Sequence, residues 1–145
     1  MKKFLMPLLF LAFLMGCAKE PTNLTQNQAQ ISVLASLVGQ NLKIEKIILA
    51  QKELRAEGAE EGASINFEKD KFYGSSGCNR FFGAYESDGE NVQIDGAAAT
   101  QMLCQPRELM DFESALLTHF KGNFKLSREG GKILLKSEEM SIYLQ

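Results

Sequence analysis

From Leu42 onward the chain is punctuated into short runs of β-branched and aromatic residues, each closed by a turn signal, and this rhythm restricts the fold more than any other feature. "SINFE", "KFYGS", "RFFGAYE" and "NVQID" are separated by "KD", "SGCN" and "SDGE". Regular spacing of this kind favours an antiparallel meander. "LKIEKIIL" opens the series as a strand; "NFKLSR" and "KILLKS", joined at Glu129-Gly130-Gly131, and a last run "MSIYLQ" close it. Between the first two runs, "AQKELRAEGAEEGA" supplies charge and glycine and reads as a long exposed connection.

One clear helix interrupts the strands, from about Pro106 to Lys121. "PRELMDFESALLTHFKG" places Pro106 in the first turn, Glu108 and Asp111 near the positive end of the helix dipole, and Gly122 just past the close. Leu109, Phe112, Leu116 and Phe120 recur at helical spacing and form one apolar stripe that must face a sheet. Strands with a single packed helix make an α+β domain. A short helix precedes the first strand, with Ile31, Leu34 and Leu37 or Val38 on one side and Gly39 as its stop.

The first residues read as a targeting segment and not as part of the fold. Lys2 and Lys3 precede an apolar run from Phe4 to Met15, and Gly16 stands before Cys17. As a helix that run rises about 18 Å, short of a bilayer core of about 30 Å. Leu14-Met15-Gly16-Cys17 resembles the lipobox of bacterial lipoproteins, which implies a signal peptide over residues 1–16, acylation of Cys17 and a polar tether over 17–30 ahead of a domain at 31–145. Several acyl chains together hold a protein on a membrane durably, where one does not. The residues after the cysteine, Ala18 and Lys19, carry no aspartate, which by the same resemblance favours the outer membrane.

Setting Cys17 aside for the lipid leaves Cys78 and Cys104. Outside the cytoplasm such a pair is most simply a disulfide, and closing a loop of about 27 residues stabilises a fold by roughly 3 to 4 kcal/mol on the chain-entropy model. Two buried or free thiols are the competing reading. A metal site finds no CxxC or HxxxH to support it, and a cysteine nucleophile would need a base. The single histidine, His119, sits at the edge of the helix stripe, where a half-buried helix residue is the plainer assignment. No metal, cofactor or catalytic residue is therefore expected. Acidic residues exceed basic ones and the basic ones are scattered, so nucleic acid is not an expected partner.

In "GSSGCNRFFG" no phosphate-loop ending is present and a strand follows, so Gly77 and Asn79 read as turn residues tolerating positive φ. Gly83 then lets a neighbouring element approach closely. By alternation Phe81, Gly83 and Tyr85 share one face, and Phe82, Ala84 and Glu86 share the other, wet one. Phe82 beside Arg80 is a candidate partner contact; a merely solvated sheet face is the alternative.

"GSSGCNRFFGAY" followed by "TQMLCQPRELMDFESALL" resembles the META domain, the fold of heat-shock-associated, HslJ-like envelope lipoproteins. The pattern falls on Gly77, Cys78, Asn79, Arg80, Phe81, Gly83 and Tyr85, then on Thr100, Met102, Cys104, Met110 and Glu113. Leu42 stands where members often carry tryptophan, and this chain has none. The resemblance implies a compact antiparallel sheet or partial barrel with a packed helix, and it supplies no catalytic residue. The expectation is a non-enzymatic, monomeric envelope lipoprotein, tied to stress, held by its lipid on the outer membrane and facing the periplasm, where it binds an envelope protein partner. The alternatives are an inhibitor of an envelope hydrolase and a carrier of a small apolar ligand; Phe67, Phe72, Phe81, Tyr85, Phe112 and Phe120 are numerous enough to fill the cavity a carrier needs. If Cys17 carries the anchor, radiolabelled palmitate enters the wild-type protein and not a Cys17→Ala variant; equal labelling of both contradicts it.

Overall fold

A computed structural model describes residues 32–145. The signal segment, Cys17, the tether and Ile31 lie outside the described residues. The first element is a single turn of helix, α1 (Val33–Leu37), capped by the Ser32 hydroxyl, which accepts from the Ala35 N–H. Strands β1 (Asn41–Leu49), β2 (Lys52–Leu54), β3 (Ala63–Phe67), β4 (Lys71–Ser75), β5 (Arg80–Asp88), β6 (Asn91–Ile94) and β7 (Ala98–Ala99) follow. Helix α2 (Arg107–His119) separates them from β8 (Gly122–Glu129), β9 (Lys132–Lys136) and β10 (Met140–Leu144).

Neighbouring strands pair antiparallel in the order β10-β9-β8-β6-β5-β4-β3-β1, and β1 returns to pair β10. The sheet expected from sequence as open or partly closed is thus a closed barrel, and the molecule is mostly β. Lys43 and Gln145 exchange both backbone bonds at the seam, at 2.9 and 3.0 Å. A register shift between Ile44 and Lys46 bends β1 there. It also changes the alternation, so that Leu42, Ile44 and Ile47 all face inward. Closure gives each of the eight barrel strands a neighbour on both sides, which an open meander does not; the short β2 and β7 lie off this ring.

Side chains fill the barrel, as an eight-strand closure allows. Phe67, Phe72, Phe81, Phe124, Leu126, Leu135 and Leu144 are all buried inside, together with Phe112 and Leu116 of α2 and Phe120 just past its end. Phe120 is the hub of the mouth under α2: its ring meets those of Phe72 at 5.0 Å, Phe124 at 5.5 Å and Phe81 at 6.3 Å, each edge-on. The helix stripe expected from sequence is the face that enters the barrel. α1 closes the opposite mouth, where Leu34 and Leu37 are buried and Arg128 donates to the Ser36 hydroxyl at 3.1 Å.

The segment expected as a long exposed connection is different. Ala50 and Gln51, at φ 48° and 68°, make a two-residue turn that folds β2 back onto β1. Leu54 and Ala56 then pack against the core, and the loop beyond them lies against the α2 mouth: a Cβ on Gly58 would stand 2.4 Å from Pro106 Cδ. Ala-Gln lacks the Asn-Gly signature of such turns, and the apolar anchors are too few to make a periodic pattern. Strand β7 was likewise not signalled, because two alanines carry no alternation.

Gly83 shows the close approach that its place in a strand implied. A Cβ there would lie 2.4 Å from the Gly96 carbonyl oxygen and 2.5 Å from Phe72 Cζ. Gly83→Ala is expected to destabilise the fold by about 1–3 kcal/mol through overpacking, read as a lowered urea midpoint. An unchanged midpoint contradicts this packing.

Candidate functional site

The residues with the most chemistry gather at the α2 mouth, around the turn between β4 and β5. Ser76 opens this turn: its N–H donates to the Asn79 carbonyl at 2.9 Å, and its hydroxyl accepts from the Asn79 N–H at 3.0 Å. Short polar side chains bonding back to the backbone hold such turns closed. Gly77 takes φ 92°, and a Cβ there would meet Ala59 at 2.7 Å and Leu109 at 3.0 Å. Asn79 does not adopt positive φ, contrary to expectation. Its conformation is ordinary because its task is different.

Asn79 is fully buried and its carboxamide is saturated. Nδ2 donates to Glu113 Oε1 at 2.8 Å and to the Met102 carbonyl at 3.0 Å. Oδ1 accepts from the Met102 N–H at 2.7 Å and from the Thr100 hydroxyl at 2.8 Å. The amide therefore treats Met102 as a neighbouring strand would, satisfying its N–H and its carbonyl together. Glu113, 7% exposed, accepts at Oε2 from the Ser76 hydroxyl and the Asn79 N–H, the latter at 3.0 Å. No Lys, Arg or His forms an ion pair with Glu113 among the described residues. Three hydrogen bonds take the place of a counter-ion, which is how an acidic side chain tolerates burial.

Cys78 and Cys104 are joined in a disulfide, with Cα atoms 5.9 Å apart. The bond ties the β4-β5 turn to the chain entering α2, and it takes up both cysteine sulfurs among the described residues. Cys104 is further held by its N–H, which points to Met110 Sδ at 3.4 Å. Between these anchors the loop exposes its side chains: Met102 is 57% exposed and Leu103 94%. The outer face of the barrel alongside is apolar too, because Phe82 (55% exposed) lies across from Tyr73 on β4 and Ala98 on β7. Arg80 flanks this row and its side chain is exposed.

A cleft of about 520 Å³ runs between the strip Ala97–Leu103 and the face of α2 bearing Met110, Glu113 and Leu117. Asn79 also lines it. Of the residues marked by the sequence, Asn79, Thr100, Met102, Met110 and Glu113 line this cleft, Gly77, Cys78 and Cys104 belong to the turn and loop beside it, and Arg80 follows Asn79 at the start of β5. Phe81 and Gly83 run down β5 into the barrel. Tyr85 stands apart toward the α1 mouth, edge-on to Phe67 at 5.6 Å, its hydroxyl donating to the Glu68 carbonyl. Burial, and then the nearby Asp70 carboxylate, push the Tyr85 phenol above its ordinary pKa.

His119 is half-buried at the helix end, its Nδ1 2.9 Å from Glu139 on the turn before β10, away from both sulfurs. Ser76, Tyr73 and Leu103 were not singled out from the sequence. The Ser-x-x-Asn spacing was the available signal for Ser76; exposure of Tyr73 and Leu103 depends on the register and on the loop path.

A model of the META domain matches residues 33–144. Comparison with curated proteins finds no match. Among solved structures, the chain is similar to an NMR structure at 18% identity, covering 77% of this chain and 92% of that one with a TM-score of 0.60. It is similar also to the NMR structure of a protein from Burkholderia xenovorans at 15% identity, covering 77% and 84% with a TM-score of 0.61. A lipocalin-like protein from Bacteroides uniformis aligns at 20% identity over 75% of this chain and 96% of that one, with a TM-score of 0.41. At these identities the two NMR structures share the fold.

The carboxamide network has a direct consequence for stability. Asn79→Ala strands the Met102 backbone groups and removes one donor from buried Glu113, so a loss of about 2–4 kcal/mol in urea unfolding is expected. A loss below about 0.5 kcal/mol, the size of an ordinary surface change, contradicts the network.

Proposed function

Because the chain belongs to the META-domain family, we propose that it is a non-enzymatic binding module of the bacterial envelope, of the HslJ-like, stress-related type. In this reading Cys17 carries the lipid, the outer membrane holds it, and the domain faces the periplasm. The observation that carries the binding role is the exposed row of Tyr73, Phe82 and Ala98 beside Arg80, on strands whose adjoining turn is fixed by a disulfide and a saturated amide. Exposed aromatic side chains on a rigid support lose little conformational freedom on contact, which is why such residues and arginine anchor protein interfaces.

A second reading draws on the loop. Leu103, 94% exposed on a segment braced at Cys104, resembles the projecting side chain by which a rigid inhibitor enters the active site of a hydrolase. The apolar-carrier reading has the weaker support, because aromatic rings occupy the barrel interior.

A photo-crosslinking residue at position 82 in living cells tests the binding role. One envelope protein is expected to be enriched over the yield from the same probe at Ser87, which is exposed near the other mouth. The same spectrum of products from both positions contradicts it.

A further inference from the structure

The strip that borders the cleft is an open strand edge. Among the described residues β7 pairs with β5 alone, whereas β6, which lies on the same side of β5, is covered by β8. Where β8 would have to continue in order to cover β7, the chain is instead helix α2, so the ladder stops and the cleft begins. The Thr100 N–H is turned to β5, donating to the Arg80 carbonyl at 3.0 Å, and the Met102 N–H and carbonyl are turned to Asn79. Strand backbone groups alternate in direction, so in an extended strip those of Ala99, and those of Ala97 and Gln101 on either side of β7, are directed away from β5, on the side of the cleft. Three alanines in succession put no bulk in front of them.

Resting on the partner-binding reading, we propose that this cleft takes an extended segment of a partner protein, which adds as a strand to Ala97–Gln101 and directs a basic side chain to Glu113. Only a polypeptide backbone supplies donors and acceptors at the strand repeat, and three outward residues span about 13 Å, some four residues of ligand. The opposite wall explains the side-chain preference. Met110 and Leu117 offer apolar contact, and Glu113 is the single charged residue in the lining among the described residues. Among the described residues its Oε1 accepts one hydrogen bond, from Asn79, which leaves capacity for a cationic donor. An acidic ligand side chain would meet an unpaired carboxyl group in the same place.

The test uses the full chain, labelled with ¹⁵N, and an N-acetylated, C-amidated hexapeptide Val-Thr-Lys-Val-Thr-Val. Saturable shifts of the Ala99 and Gln101 amides are expected. Replacing the peptide lysine by glutamate lowers affinity at least fivefold, and N-methylation of alternate peptide amides lowers it at least tenfold. Gln101→Pro removes an outward N–H at an edge, where proline is tolerated, so it abolishes the Ala99 shift at an unaltered urea midpoint. Glu113→Gln brings the two peptides to within twofold of each other. The proposal is overturned if no peptide moves these amides, if the lysine and glutamate peptides bind wild type equally, or if the amides shift with protein concentration alone, which assigns the edge to a second copy. Crosslinks from position 82 that persist while the peptides leave Ala99 and Gln101 unmoved defeat this inference and leave partner binding standing.

Discussion

The Asn79 carboxamide is the point on which the α2 end of the molecule depends. It contacts the loop through Met102 and Thr100, and the helix through Glu113, while its own backbone closes the Ser76 turn. Glu113 and Ser76 are buried, and polar groups held away from water cost more unpaired than they contribute when paired. No other side chain offers two donors and one two-lone-pair oxygen on so short a stem. The disulfide acts on two of these segments, the turn and the loop entering α2, by a different route, limiting how far they separate in the unfolded chain and not how they are oriented in the folded one.

That division accounts for the composition of the conspicuous segment "SSGCNRFFGAY". Gly77 admits the Ala59 loop and Leu109, Cys78 fixes distance, Asn79 fixes orientation, Phe81 fills the barrel, and Gly83 admits Phe72 and the Gly96 carbonyl. Arg80 and Phe82 are left over from this internal work and face outward. A segment whose inward residues are all committed to packing presents its outward residues with little freedom to move, which is what a binding surface requires.

Much of this was legible in the sequence, for reasons that can be named. Alternation in "RFFGAY" placed Phe81 and Tyr85 inside and Phe82 outside, and the spacing of Leu109, Phe112, Leu116 and Phe120 located the buried face of α2. These succeed because burial on one face leaves a period. Barrel closure left no such mark: it rests on pairing between the first and last long strands, a contact that no local pattern encodes. The β2 hairpin was hidden by an Ala-Gln turn, and β7 by its shortness. Asn79 does close the turn, as read, but not with the positive φ expected of it; only the third dimension brings Glu113 and Met102 to its side chain. The family resemblance marked Asn79, Thr100, Met102 and Glu113 as a set without indicating that hydrogen bonds join them.

Amide hydrogen exchange along residues 97–104 measures the central claim, that Asn79 makes this strip a strand with one satisfied edge and one open edge. Strong protection at Met102 and Thr100, alternating with rapid exchange at Ala99 and Gln101, is the predicted result. Uniform exchange along the strip, or protection at Ala99 and Gln101 in the isolated protein, would contradict it.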